Sequence, residues 1–353
     1  MSLEKNELLK LMKLSATADK SSPVAYAFGD EKFTANEINE ALRKELNELA
    51  GTLSLYRQNK NTIFELIEST IDDVLPRKVL EQYGQFADVQ TVAQGDKPVF
   101  VQRITESSRA RAKAFVTKVG LAGVYEVFKL DGQKVEIDVM AYGGAAQIGL
   151  EEFLDGRITF ADVLEIVLLA LDEAVYREIA TALVASITNL PTANKAYVSS
   201  FDEATMDRLV QIADAYGQSA IYCTYEFAAT MVPDSGWISN EIMNTMWNVG
   251  YLANYKGHRV IVLPQSFTDN TNATKIIDPA YAWIIPTGGN NKPVKIAFEG
   301  QTVTQEFTNR DGSREIQVYK KIGVGTIVTN NVCSYRNTAL ATTWSYDASG
   351  KAS

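Results

Sequence analysis

One long helical period limits what this chain can build. From Thr159 to about Ser186, Leu164, Leu168, Leu171, Val175, Ile179 and Ala182 recur every three or four positions. That spacing puts an apolar stripe on one face of a helix. Thr159 and Asp162 form a variant capping box at its start. Asp162, Glu165, Asp172, Glu173 and Arg177 gather on the other side, with Glu173 and Arg177 as an i,i+4 pair. About 27 residues at 1.5 Å each make a rod of roughly 40 Å. Such a helix is a strut rather than an ordinary globular element.

Ahead of the strut, residues 1 to about 90 read as charged helices. Thr34 and Glu37 form a capping box, Ile38, Leu42, Leu46 and Leu49 carry the helical period, and Gly51 stops it. A second helix is expected from Asn61 to Val74, through Ile63, Ile67 and Ile71, with Pro76 ending it. These helices fall short of a core of their own and are expected to lie as an arm along another surface. From Lys97 the period changes to two. Pro98 to Ile104 reads as a strand, and Gly123–Leu130 and Gln133–Ala141 flank an Asp131-Gly132 turn. Val135, Ile137 and Val139 alternate with Lys134, Glu136 and Asp138, giving a ribbon with one polar face, closed by Gly143-Gly144.

Beyond the strut, Ser200 and Glu203 suggest another capped helix, burying Met206, Leu209, Val210, Ala213 and Tyr216 and stopped by Gly217. Ala220 to Tyr225 is a buried strand, followed by short helices from Glu226 and from Ser239 to Gly250. Arg259–Leu263 and Ala282–Ile285 are further strands, and Trp237, Trp247 and Trp283 are expected to pack together. The chain closes on Thr302–Thr308, a turn at 309–312, Glu315–Tyr319 and Gly323–Thr329, with a small-residue tail from Ala341 to Ser353. The fold class is α+β.

Chemistry is scarce. There is one histidine, His258, and there are two cysteines, Cys223 and Cys333. That excludes a His-rich metal site and a zinc ribbon, and two buried thiols are expected rather than a disulfide. Gly323-Val324-Gly325 lacks the third glycine and the helix of a dinucleotide fingerprint. The adjacent carboxylates Asp72-Asp73 and Glu151-Glu152 are read as solvated faces, because neighbours on a helix diverge by about 100°. No cofactor, metal or catalytic residue is expected. The longest apolar runs, Ile166–Leu171 and Ala280–Ile285, are far short of the roughly 20 residues of a membrane span.

Charge is informative locally. The chain has 34 basic and 43 acidic residues, a net of −9, which disfavours nucleic-acid binding by overall charge. Residues 103–118 hold Arg103, Arg109, Arg111, Lys113 and Lys118 against Glu106, a net of +4. Residues 151–178 hold eight acids against Arg157 and Arg177, a net of −6. A basic ribbon crossing an acidic strut, through Glu165, Asp172 and Glu173, is a candidate subunit contact.

The order of parts resembles a tailed-phage major capsid protein of the HK97-like fold: arm, ribbon, strut, α/β region, returning sheet. Val89–Ile104 entering the ribbon, Gly257–Pro264 in the α/β region and Ser313–Val328 in the final sheet agree in texture. The resemblance implies an N-terminal arm (1–95), an extended loop (96–150), a peripheral domain with the spine helix (151–200 and 301–340), an axial domain (201–300) and a C-terminal tail (341–353). It implies self-assembly into pentamers and hexamers of an icosahedral shell around phage double-stranded DNA, in the virion after assembly in the host cytoplasm. Portal and scaffolding or decoration proteins would be partners; sequence-specific DNA contacts and a membrane would not. Some members cross-link a loop lysine to a neighbour's asparagine. Lys113, Lys118, Lys129 and Lys134, and Asn330, Asn331 and Asn337, lie in the corresponding regions but match no cross-linking motif. The alternatives are an encapsulin-type nanocompartment shell and, in another class, a soluble hydrolase using two carboxylates.

Overall fold

The computed structural model describes residues 5–18, 26–28, 31–102, 133–148, 160–231, 244, 250–267, 271–272, 274–286, 292–308, 314–328 and 330–340. The strut is present as α4, Phe160–Ser186. Leu168, Leu171, Val175 and Ile179 of its stripe are buried.

Three helices precede it: α1 (Lys5–Thr17), α2 (Ala35–Ala50) and α3 (Leu53–Tyr83). The Thr34 capping box on α2 forms as expected: the Glu37 backbone N–H donates to Thr34 Oγ1, and Glu37 Oε2 accepts from the Thr34 N–H at 2.8 Å. That return bond is the main reason the Glu37 carboxyl sits below its ordinary value. Two expectations fail here. α3 does not end before Pro76 but runs through it for 31 residues. Proline removes one backbone donor from the ladder, while Leu75, Val79 and Tyr83 beyond it remain buried. Nor do these helices lack a core. Leu8, Leu11 and Met12, then Ile38, Leu42 and Leu46, then Ile63, Ile67 and Ile71 join the α4 stripe in one cluster. α3 buries residues on several sides, between α1 and α2 on one hand and a sheet on the other, so no single apolar stripe marks it.

That sheet has four strands in the order β3-β12-β13-β6: β3 is Ala87–Val92, β6 Met140–Ile148, β12 Val294–Thr308 and β13 Arg314–Thr326. β12 and β13 form the expected terminal hairpin, interrupted by a bulge between Glu299 and Val303. Val294, Ile296, Phe298, Ile316, Val318 and Ile322 point from it into the helical core. Gly143-Gly144 does not close the ribbon, as expected, but lies inside β6, opposite Tyr319 and Val318. A Cβ on Gly143 would stand 2.6 Å from both the Tyr319 Cβ and the Val318 carbonyl oxygen. The glycine is there for close strand approach.

The α/β region is a six-stranded sheet, β7-β14-β11-β8-β10-β9. Its strands are β7 Lys195–Val198, β8 Ser219–Thr224, β9 Asn254–Tyr255, β10 His258–Leu263, β11 Tyr281–Pro286 and β14 Cys333–Asn337. Two helices belong to it, α5 (Glu203–Asp214) and α6 (Tyr225–Thr230). Alternate residues divide between two cores. Ala220, Tyr222, Tyr281, Trp283 and Ile285 face the α4 side. Ile221, Cys223, Ala282 and Ile284 face α5 and α6. Both faces are covered, which explains strands that read as continuous apolar runs. The N-cap of α5 is Asp202, not Ser200: its Oδ2 accepts the Thr205 N–H at 2.8 Å. Trp283 stacks on Tyr281; Trp237, Trp247, the helix expected from Ser239 and the 341–353 tail lie outside the described residues. No helix of the described residues is long and apolar enough to cross a membrane.

Candidate assembly interface

The ribbon is rooted on the outer face of the four-stranded sheet. β4 (Val99–Gln102) pairs antiparallel with β5 (Gln133–Glu136). Phe100, Ile137 and Ala297 make a small core at the root. Two glycines permit this. A Cβ on Gly323 would meet the Asp138 carbonyl oxygen at 2.7 Å, and one on Gly325 would meet Ile137 Cδ1 at 3.0 Å. The Gly-Val-Gly fragment is therefore the crossing point of the ribbon over β13, inside a strand as the sequence suggested. Lys295 holds the same place, with its Nζ 3.1 Å from Asp88 Oδ2 and above the Phe100 ring. Lys134, Glu136 and Asp138 are exposed, and Ile137 is buried between them. The Asp131-Gly132 turn and the strand expected at 123–130 lie outside the described residues.

Arg103, Arg109, Arg111, Lys113 and Lys118 also lie outside the described residues. Glu165 falls within α4. Asp172 is turned inward: its Oδ2 lies 3.0 Å from Lys78 Nζ of α3. That carboxylate ties the strut to its own chain. Glu173 remains exposed. Sequence reasoning missed the apolar side chains beside it. Ile166 and Leu169 are 64% and 54% exposed, Met140 on β6 is 66% and Val101 on the ribbon 60%. Ile166 and Leu169 sit seven and four positions before Glu173, on its face of the helix. Two apolar residues on an otherwise polar face were the available signal.

Asp72 and Asp73 do not form a catalytic dyad, and Glu151-Glu152 lie outside the described residues. Asp72 is half-buried: its Oδ1 accepts from Lys320 Nζ at 2.6 Å and from the Thr302 N–H at 2.9 Å. Asp73 pairs instead with Lys13 of α1. The expected solvated face is thus, for Asp72, an anchor between α3 and the hairpin. Glu68, one turn earlier, accepts the Thr304 N–H at 2.7 Å. Thr302 lies in the bulge and Thr304 lies beyond the point where β3 stops pairing with β12, so the helix supplies carboxylates to these two strand donors.

His258 stands near a serine and an aspartate, in a partly buried hydrogen-bonded group. Ser219 Oγ donates to Asp214 Oδ1 at 2.7 Å and lies 3.2 Å from His258 Nδ1, while His258 Nε2 lies 3.3 Å from Asp214 Oδ2. A triad needs a serine within reach of substrate with its proton directed at the histidine; here the serine hydroxyl is bonded to the carboxylate, and Ser219 is only 2% exposed. The group fastens α5 to β8 and β10. Among the described residues no cluster of His, Cys, Asp and Glu could hold a metal ion. Cys223 and Cys333 are free and buried, and desolvation raises both thiols to about 12. β11 lies between their strands, with Cys223 opposite Ala282 and Cys333 opposite Ile284; two strand spacings across and two residues along set them roughly 12 Å apart, beyond disulfide reach.

A hairpin sheet along a long helix, a ribbon rooted on that sheet and a second α/β unit beyond it are the parts, in the order, that the resemblance to a phage capsid protein of the HK97-like fold implies. The chain belongs to the family described as "SPbeta prophage-derived putative capsid protein YonB", whose model matches residues 10–335. Among solved structures it is similar to the acidic stable capsid of Helicobacter pylori bacteriophage KHP30 (13% identity, TM-score 0.48, 72% of this chain and 90% of that one). It is also similar to the capsid of cyanophage P-SCSP1u (10%, 0.48, 72% and 87%) and to the SrpI encapsulin of Synechococcus elongatus (8%, 0.45, 77% and 90%). No curated protein matches. The family match carries the assignment.

Proposed function

We propose that this chain assembles into the pentamers and hexamers of an icosahedral shell that encloses phage double-stranded DNA. The observation that carries the reading is the ribbon. β4 and β5 pair only with each other among the described strands, and an isolated two-stranded ribbon is marginal in water. Thirty residues, 103–132, separate the two strands. Two arms of about 15 residues at roughly 3.3 Å each reach as far as 50 Å, enough to lie over a neighbouring subunit. The net of +4 on residues 103–118 and the exposed Glu173 on a segment of net −6 supply complementary charge for that contact. Asp172, already paired with Lys78, supplies less of it than the exposed Glu173. The overall −9 suits a wall that must not adhere to packaged DNA. A portal is the further partner of this role, with scaffolding or decoration proteins as candidates beside it.

The test is to express the chain and image the product by electron microscopy. Closed particles with fivefold and sixfold clusters are expected; a dispersed monomer would overturn the proposal. Nuclease-protected DNA in particles from an infected or induced host separates a phage head from a nanocompartment, which would hold protein cargo instead.

A further inference from the structure

The outer edge of β6 is an unprotected strand edge. On its inner side β6 pairs with β13 without a break, from Met140↔Ile322 to Ile148↔Arg314. On its outer side, among the described residues, no strand pairs with it. Edge strands are normally guarded by charge, proline or a bulge. β6 reads Met-Ala-Tyr-Gly-Gly-Ala-Ala-Gln-Ile and has none of these over nine residues. The opposite edge strand, β3, is shorter and carries Asp88, paired with Lys295.

The surroundings are equally apolar. Met140, Ala141, Gly143, Gly144 and Ala145 are exposed, and a Cβ on Gly144 would meet nothing within 4 Å. A groove runs between the strand and α4, lined by Tyr142, Val167, Ala170 and Ala174, with Arg177 as its one charged lining residue. Exposed Ile166 stands on its lining and Leu169 beside it. Apart from Arg177 the lining is apolar or, at Tyr142, a neutral phenol, and it suits a strand without charge. The ribbon, which the shell reading lays on Glu173 beside the groove and not in it, is a poor occupant of the groove itself: β5 alternates Lys134 and Glu136, and residues 103–118 carry five bases. The uncharged nine-residue strand with a free edge is β6 itself. Burying charge against this groove would cost more than burying another neutral strand, and a self-complementary edge is what a two-fold contact requires.

We propose that the outer edge of β6 pairs antiparallel with β6 of a second copy across a two-fold axis, joining two four-stranded sheets. This rests on the shell reading for its supply of second copies. Backbone bonds would give the affinity, and the small residues at 143–146 let the two strands and their flanking helices close together.

Cysteine cross-linking tests it. Both native thiols are buried, so the unmodified chain supplies no background. Ala141→Cys, Gly144→Cys and Ala145→Cys are introduced singly, oxidised in assembled particles and run on a denaturing, non-reducing gel. Antiparallel self-pairing brings the residues nearest the axis within disulfide range. At least one variant should therefore shift most of its monomer band to twice the 38.9 kDa chain mass. The two alanine positions guard against misfolding at the glycine. If all three stay monomeric in intact particles, the proposal fails while the shell reading stands. A ladder above dimer from the Gly144→Cys, Lys134→Cys double variant would assign the groove to a neighbour's ribbon and also overturn it. If the unmodified chain forms no particles, the shell reading fails, and a cross-linked free dimer would still report the β6 pairing.

Discussion

Removing the Asp72 carboxylate should loosen α3 from the hairpin sheet. Lys320 is 2% exposed, and among the described residues its ammonium donates to Asp72 Oδ1 and the Gly300 carbonyl oxygen, each at 2.6 Å. In Asp72→Ala the lysine becomes a buried cation with one neutral acceptor. Breaking a buried pair from one side costs about 3–5 kcal/mol. The Asp72 side chain is 23% exposed, so water can enter as it leaves, and the low end, about 3 kcal/mol, is expected. The Thr302 N–H also loses its acceptor, which adds about 1–3 kcal/mol if water does not replace it. Lys320→Met should cost less, because the carboxylate it leaves keeps Thr302 and faces solvent. The double variant Asp72→Ala, Lys320→Met should therefore be more stable than Asp72→Ala alone, since the stranded cation is gone. Urea unfolding of the unassembled subunit, analysed as a double-mutant cycle, measures all three. A loss below about 1 kcal/mol for Asp72→Ala, within the range of an exposed pair, would refute this reading. Additive single effects would refute the coupling.

Other perturbations divide folding from assembly. Gly143→Ala should destabilise the subunit by about 1–3 kcal/mol through overpacking, because its Cβ would meet the Tyr319 Cβ and Val318 O at 2.6 Å; Gly144→Ala, with open space, should leave the urea midpoint unchanged. Reversing Arg109, Arg111 and Lys113 together to glutamate should abolish particles while leaving the circular dichroism spectrum of the subunit intact; normal particles would count against the ribbon-to-strut contact. Cys223 and Cys333 are pushed up to about 12 by burial. At pH 8 they are thiols rather than thiolates, so a thiol reagent should label neither in the native subunit and both in denaturant.

Much of this architecture was legible because burial there follows a single period. The α4 stripe gave an end residue, Ser186, that the structure reproduces. The terminal hairpin follows the two-residue period, whereas the single strand expected over Gln133–Ala141 is split at 137–139 into β5 and β6 of different sheets, where the ribbon crosses β13 at its glycines. The misses share a cause, which is that tertiary contacts override a local stop signal. Pro76 forfeits one hydrogen bond while Leu75, Val79 and Tyr83 keep α3 buried. Gly143-Gly144 resembles a terminator, yet serves the approach of β6 to Tyr319. Asp72 resembled a surface acid because its partners, Thr302 and Lys320, lie more than 200 positions away in the sequence. Asp172 was placed on the outer face, and Lys78 of a helix not expected to reach it turns it inward. The candidate interface was legible only as charge. Its apolar part, Met140, Ile166 and Leu169, becomes visible when the strut and β6 are side by side.

The central claim is that this chain builds a shell with copies of itself. Sedimentation velocity on the purified protein tests that most directly. A family member that assembles should sediment as a narrow boundary of megadalton particles, with little material at the 38.9 kDa of a single chain. A protein that remains a monomer or dimer across concentration and ionic strength would contradict the account.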